Sequence, residues 1–210
     1  MPNKDTRKPL EIVAEFARKA ESYKNDILIG IDPGTTGALA FRCEKFYCVI
    51  SIPVIITMMK KTRRNTRKRA KATGVKTRVV NSKNSEFDYP LICAMFKLFK
   101  NVKPRVKVML EKIPPTLGPG RAYAEIILNR AYAMWPLFLH SKGYAVYQER
   151  PGIWKGRMKV LKAEKEVCRK KALAMFPKAD ILRKKDHDRA EALLLVEYLR
   201  RLLAGDFKGK

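Results

Sequence analysis

Residues 27–37 read Ile27-Leu28-Ile29-Gly30-Ile31-Asp32-Pro33-Gly34-Thr35-Thr36-Gly37. An apolar run of strand type ends abruptly in one carboxylate, and a turn rich in Pro, Gly and Thr follows at once. The pattern mounts Asp32 on the rigid edge of a sheet, with Gly34 and Gly37 keeping bulky side chains away from it. Read alone, such a position suits either a metal or a phosphate.

The elements around this strand set the fold class. Residues 9–23 have a helical period, with Leu10, Val13, Phe16 and Ala17 on one face. After Asp32, residues 37–43 and 46–52 read as two further strands, a meander. Helical spacing returns at 88–100, and 105–111 alternates before turning apolar, a strand that ends in Glu111. A Pro/Gly loop follows, then a helix over about 121–141 with Pro136 inside it, and a short strand at 144–148. Residues 150–160 read as a basic loop around Trp154, and two helices close the chain near 162–175 and 187–203. The order β-β-β-α-β-α-β-α-α predicts an α/β fold, a mixed sheet with helices on its faces.

The chain has 210 residues, enough for one domain with a sizeable core, and 46% of them are hydrophobic. Lys and Arg number 46 against 20 Asp and Glu, a net charge of +26. Such a field draws polyanions, nucleic acid first among them, while a ribosomal or membrane-surface role stays open. The densest basic stretch is 60–78, which has no acidic residue. It reads as a solvated loop that orders on phosphate. The four cysteines form no paired CxxC motif and there are two histidines, so a structural zinc site is not expected. Reduced thiols fit an intracellular protein of the cytoplasm or nucleoid, with an organelle matrix or a phage-infected cell left open. No apolar run reaches the roughly 18 residues of a membrane span, no secretory signal is read at the start, and no membrane partner is expected.

Acids are scarce here, and three features place them pointedly. Asp32 and Glu111 each end a strand. Asp186-His187-Asp188-Arg189-Ala190-Glu191 opens the last helix, and Asp188 and Glu191, three apart, share one of its faces. Acids in a first turn also serve as caps or dipole partners, and that alternative stays open for Asp186, Asp188 and Glu191. Taken together, carboxylates are ligands for Mg²⁺, and two ions about 3.5–4 Å apart can activate water and stabilise the leaving oxygen of a phosphodiester. A basic surface around an acidic pit describes a metal-dependent nuclease. His187 reads either as a water-orienting or metal-ligating group or as a surface residue at a helix start.

Ile29-Gly30-Ile31-Asp32-Pro33-Gly34-Thr35-Thr36-Gly37-Ala38, the strand ending in Glu111, and Asp188-Arg189-Ala190-Glu191-Ala192-Leu193-Leu194-Leu195-Val196 together resemble the RuvC family of Holliday-junction resolvases. Pro151 to Lys155, Phe176-Pro177 and Lys184 to Glu191 look closest to its organellar and phage branches. The resemblance spans about residues 27–203 and implies an RNase H-like fold, a five-stranded mixed sheet flanked by helices. It implies a homodimer that binds branched DNA, a four-way junction, and nicks two opposed strands symmetrically. It also implies two Mg²⁺ ions per site, replaceable by Mn²⁺, on Asp32, Glu111, Asp188 and Glu191, with His187 and Lys185 as further catalytic candidates. Glu191 stands where many members carry Asp, and some relatives use a His in this motif. Which of Asp186, His187 and Asp188 is the metal-side partner is therefore open. On this reading residues 1–26 are an N-terminal helical extension, 27–210 the nuclease domain, and 60–85 a basic insertion loop.

Candidate DNA contacts are Arg63, Arg64, Arg67, Lys68 and Arg69 in the insertion, Arg121 and Tyr123 after the glycine-rich loop, and Trp154 with Lys155. Two other nuclease readings compete, cleavage of flaps or of RNA–DNA hybrids, because a fold and its metal chemistry do not fix the substrate. A non-enzymatic basic DNA-binding protein is the remaining class; it would need the positive charge but not the acids. The Asp32 turn also resembles the first phosphate loop of actin-like and sugar-kinase ATPases. Those need a second related domain and a second such loop, and this chain has neither.

Overall fold

The computed structural model describes residues 8–34, 36–64, 77–113 and 122–207. In chain order the elements are α1 (Pro9–Glu21), β1 (Ile27–Asp32), β2 (Ala38–Cys43), β3 (Phe46–Ser51), β4 (Val54–Arg64), β5 (Thr77–Phe87), α2 (Tyr89–Lys97), β6 (Val106–Glu111), α3 (Ala122–Ser141), β7 (Ala145–Glu149), α4 (Pro151–Arg157), α5 (Lys165–Met175) and α6 (His187–Ala204). Short 3-10 turns at Lys100–Arg105 and Lys184–Asp186 precede β6 and α6. The main sheet has the order β3-β2-β1-β6-β7. Strands β1, β2 and β3 form the antiparallel meander, while β6 and β7 run parallel to β1. This is the RNase H-like mixed five-stranded sheet, flanked by helices, that the sequence leads one to expect.

The period of two sorts β1 between two cores. Ile27, Ile29 and Ile31 are fully buried in a cluster with residues of α1, α2 and α3. Leu28 faces the other way, into a cluster built largely from α4, α5 and α6. A strand covered on both faces has no polar side to alternate with, which is why it reads as a continuous apolar run. Gly30 lies on the α6 side. A Cβ there would stand 2.5 Å from the Ala192 carbonyl oxygen, so its absence sets how closely α6 approaches the sheet. Gly30→Ala is expected to push α6 outward and to cost about 1–3 kcal/mol. That is a fall of several degrees in melting temperature by calorimetry.

The expected N-terminal helix is present as α1, and it packs into the core: Val13, Phe16, Ala17 and Ala20 are buried, and Phe16 packs on Phe41 with ring centroids 5.8 Å apart. Two sequence expectations change. The basic loop expected over 60–85 is, in its described part, a long antiparallel ribbon of β4 and β5 in register from Val54↔Phe87 to Arg64↔Thr77. Its strand character is hidden in the sequence because Lys and Arg replace the alternating apolar face on which strand recognition depends. The basic loop around Trp154 is helix α4, opened by Pro151 in its first turn. Helix α3 runs through Pro136. Among the described residues no helix is long and apolar enough to cross a membrane.

Candidate metal centre

The topology brings the acids together before any side chain is considered. Strands β1 and β6 are parallel neighbours with Ile31 opposite Leu110, so Asp32 and Glu111 end adjacent strands side by side. Leu28 and Met109 belong to the α6-side core, and by the period of two Asp32 and Glu111 lie on that same face. Helix α6 crosses this face over Gly30, and its first turns carry Asp188 and Glu191. Carboxyl ends of parallel strands are also where open α/β sheets place their ligands.

Carboxylate oxygens of Asp32, Glu111 and Glu191 all lie within 4.8 Å of one another, a group able to hold a metal ion. Glu111 is 8% exposed. Burial pushes the Asp32 carboxyl well above the usual carboxylate range, and the charges of Glu111, Asp188 and Glu191 push it further. Burial also raises Glu111 to about 7, with Glu191 and Asp188 adding to it and Lys155 and Trp154 opposing. Asp188 is raised chiefly by burial, against the charges of His187 and Lys165 and a hydrogen bond from Thr36. Crowded, half-dehydrated acids of this kind are stabilised by a shared cation. An all-carboxylate donor set fits a hard divalent ion such as Mg²⁺.

Helix α4 positions two of these acids from consecutive residues. Trp154 is fully buried and its indole Nε1–H donates to Glu111 Oε1 at 3.1 Å. Lys155 Nζ donates to Glu191 Oε2 at 2.8 Å and stands 5.3 Å from the centroid of the Trp154 ring. Trp154 is therefore not a DNA-stacking residue: no face of its ring reaches solvent. Lys155, expected as a DNA contact, faces the acids. Burial disfavours its charge, but the Glu191 hydrogen bond and the neighbouring carboxylates raise its pKa. Trp154→Phe removes one N–H and keeps an aromatic ring. It is expected to weaken Mg²⁺ binding about tenfold in a calorimetric titration, as losing a group that orients a ligand does. DNA affinity measured without metal should not change; a stacking role for Trp154 would weaken it.

The remaining candidates separate in space. Asp188 Oδ1 lies 2.9 Å from His187 Nε2, and that nitrogen lies 2.8 Å from Lys165 Nζ. Asp186 is buried and bound to Arg183, whose Nη2 donates at 2.8 Å and whose backbone N–H donates at 2.9 Å. Burial opposes its charge, yet those bonds hold its carboxyl below the ordinary value. Asp186 is thus engaged in a structural turn, while Asp188 lies outside the group of Asp32, Glu111 and Glu191 but near enough for its charge to act on Asp32 and Glu111. Lys185 is exposed on that turn and, among the described residues, makes no hydrogen bond to the four acids. Gly37 is required where it stands, since a Cβ would meet the Asp32 carbonyl oxygen at 2.1 Å; at Gly34 the nearest atom is an ordinary 3.7 Å away. Arg63 and Arg64 end strand β4 and Tyr123 sits in the first turn of α3; the side chains of all three, like Arg67, Lys68, Arg69 and Arg121 entirely, lie outside the described residues. The roles of Thr36, of Lys165 and of Trp154 toward Glu111 are not legible in the sequence, because each depends on a partner distant along the chain.

No protein-family description matches the chain, and no curated protein sequence does. Among solved structures it is similar to Thermus thermophilus RuvC, with 16% identity and a TM-score of 0.41 over 84% of this chain and 96% of that one. It is similar to the same extent to T. thermophilus RuvC in complex with a Holliday junction substrate, at 14% identity and TM-score 0.41, with the same coverage. Likeness of that degree decides nothing about chemistry, which rests on this chain's own residues.

Proposed function

We propose that this protein is a divalent-metal-dependent endonuclease that nicks four-way DNA junctions symmetrically, acting as a homodimer. The observation that carries the reading is the convergence of Asp32, Glu111 and Glu191 within 4.8 Å, in a chain whose net charge is +26. A protein that only coated DNA would gain nothing from acids crowded together, whose mutual repulsion weakens both the fold and the hold on phosphate.

Asp32, Glu111, Asp188 and Glu191 would hold Mg²⁺, or Mn²⁺ in its place, as two ions per site. Bound there, such ions supply an activated water and stabilise the leaving 3′ oxygen, giving 5′-phosphate nicks that a ligase can seal. The protein's own groups do the placing. Asp32 ends β1, and the Gly34 backbone N–H bonds its carboxylate. The Trp154 N–H fixes one oxygen of Glu111, and Lys155 holds Glu191 while adding positive charge beside the incoming phosphate. His187, between Asp188 and Lys165, is poised to orient a water. Lys185 and the cations of the β4–β5 ribbon, with Arg121 and Tyr123, are assigned to the DNA. The homodimer and the junction follow from the sequence resemblance.

The test is cleavage of four-way, flap and RNA–DNA hybrid substrates side by side in Mg²⁺. Paired nicks at equal distances from the crossover, with flap and hybrid cut at least tenfold more slowly, are the expected result. Preferential cutting of the hybrid or the flap would replace this reading with another nuclease of the same fold. Ca²⁺ is expected to support binding with little cutting, because its looser coordination misplaces the reactants.

A further inference from the structure

Beyond the acidic site, the β4–β5 ribbon is the feature whose way of meeting DNA is still to be defined. It forms a two-stranded sheet of its own, separate from the five-stranded one. Its two strands have 11 residues each. At a strand's rise, that is a rod about 35 Å long. Isolated two-stranded ribbons are marginal in water and need something to pack against.

The root is firmly fixed. Phe87 is buried, with its ring 5.9 Å from Trp135, and the Asp88 backbone N–H donates to the Pro53 carbonyl at 3.0 Å. Asp88 also caps α2, accepting from the Leu91 N–H at 3.1 Å. Away from the root the composition changes. Lys60, Lys61, Arg63, Arg64, Arg78 and Lys83 lie on the two strands, whose sole acid is Glu86, next to Phe87. The register sets Arg63 opposite Arg78, Lys61 opposite Val80 and Lys60 opposite Asn81, so none of these cations has an acid as its cross-strand partner. Like charges directly opposite destabilise a ladder, and the Arg63–Arg78 pair is such a case. A polyanion lying along the ribbon would relieve it.

We infer that the β4–β5 ribbon docks lengthwise in the major groove of a duplex DNA arm, with its cations on the two flanking phosphate backbones. The major groove of B-DNA, about 12 Å wide, admits a two-stranded ribbon, and the minor groove, about 6 Å wide, does not. A duplex RNA is a poor alternative, because the A-form major groove is too deep and narrow. The ribbon thus grips an arm of the substrate while the acids act at the branch. The inference rests on the proposed function only in taking DNA as the partner.

The experiment is dimethyl sulfate footprinting of the full-length protein on a junction and on a linear duplex, in the absence of divalent metal. Guanine N7 reports the major groove and adenine N3 the minor groove. The wild type is expected to protect guanine N7 along a duplex arm. The variant K61Q/R63Q/R78Q is expected to lose that protection and bind linear duplex at least tenfold more weakly. Its slope of log affinity against log salt should be shallower by about 0.9 for each phosphate that is no longer neutralised. K61R/R63K/R78K should keep the footprint. Protection confined to adenine N3, protection that survives in the glutamine variant, or equally tight binding to an RNA duplex would each overturn the inference. If the glutamine variant does not fold, the wild-type pattern of N7 against N3 still decides. Asp32→Asn should keep the footprint whether or not the nuclease reading holds, so failure of one is distinguishable from failure of the other.

Discussion

Asp32→Asn is expected to reduce Mg²⁺-dependent cleavage of a four-way junction by at least about a thousandfold while leaving junction affinity in Ca²⁺ within a few-fold of wild type. The amide has the same shape but no charge, and it cannot bring a carboxylate oxygen into the group it forms with Glu111 and Glu191. The same change should raise the melting temperature of the metal-free protein. Burial and three neighbouring acids push the Asp32 carboxyl upward, so a neutral side chain relieves repulsion that the folded state otherwise carries. A loss of activity joined to a gain in stability is what a functional site strained for chemistry produces. A merely structural Asp32 would give the opposite pairing, lower stability with activity lost only through unfolding.

The second large effect is on the pH dependence of stability. Glu111 is raised from 4.5 to about 7 in the folded protein, and Asp32 and Asp188 are raised as well. A carboxyl whose folded pKa lies above its unfolded value stabilises the fold below the unfolded pKa. That stability is lost as pH rises through the folded value. Metal-free protein should therefore lose stability between about pH 4.5 and pH 7, a window set by Glu111. Mg²⁺ binds the ionised acids and only the folded state presents them together. Its stabilising effect should be small at about pH 5 and several degrees larger at about pH 8. Melting curves with EDTA and with Mg²⁺ at the two pH values check this. Equal Mg²⁺ shifts at both would show that these acids are not the ion's ligands.

Much of the arrangement is legible in the sequence because the decisive signals are local. A run such as Ile27–Ile31 ending in Asp32 announces a buried strand with an acid at its carboxyl end, and Glu111 repeats the pattern on β6. Asp188 and Glu191 share a helix face by spacing alone. The expectations that change have a common cause. Trp154 among basic residues looks like a surface stacker, and only the packing of α4 against α6 turns its ring inward to Glu111. Lys155 carries no mark of its partner Glu191, which lies 36 positions away. The β4–β5 ribbon is paired by backbone hydrogen bonds, so its side chains need not alternate and leave no period to find. Gly30 looks like any strand glycine, because nothing in the sequence says that α6 crosses there.

If the clustered acids of this basic protein form a metal-dependent nicking centre, the protein must cut a four-way junction only when a divalent ion is present. Incubation of the purified protein with an end-labelled, synthetic four-way junction, in Mg²⁺ and in EDTA, tests it most directly. The predicted result is paired nicks with ligatable 5′-phosphate ends in Mg²⁺ and none in EDTA. An intact junction in Mg²⁺ and Mn²⁺ despite tight binding, or equal cutting in EDTA, would contradict it.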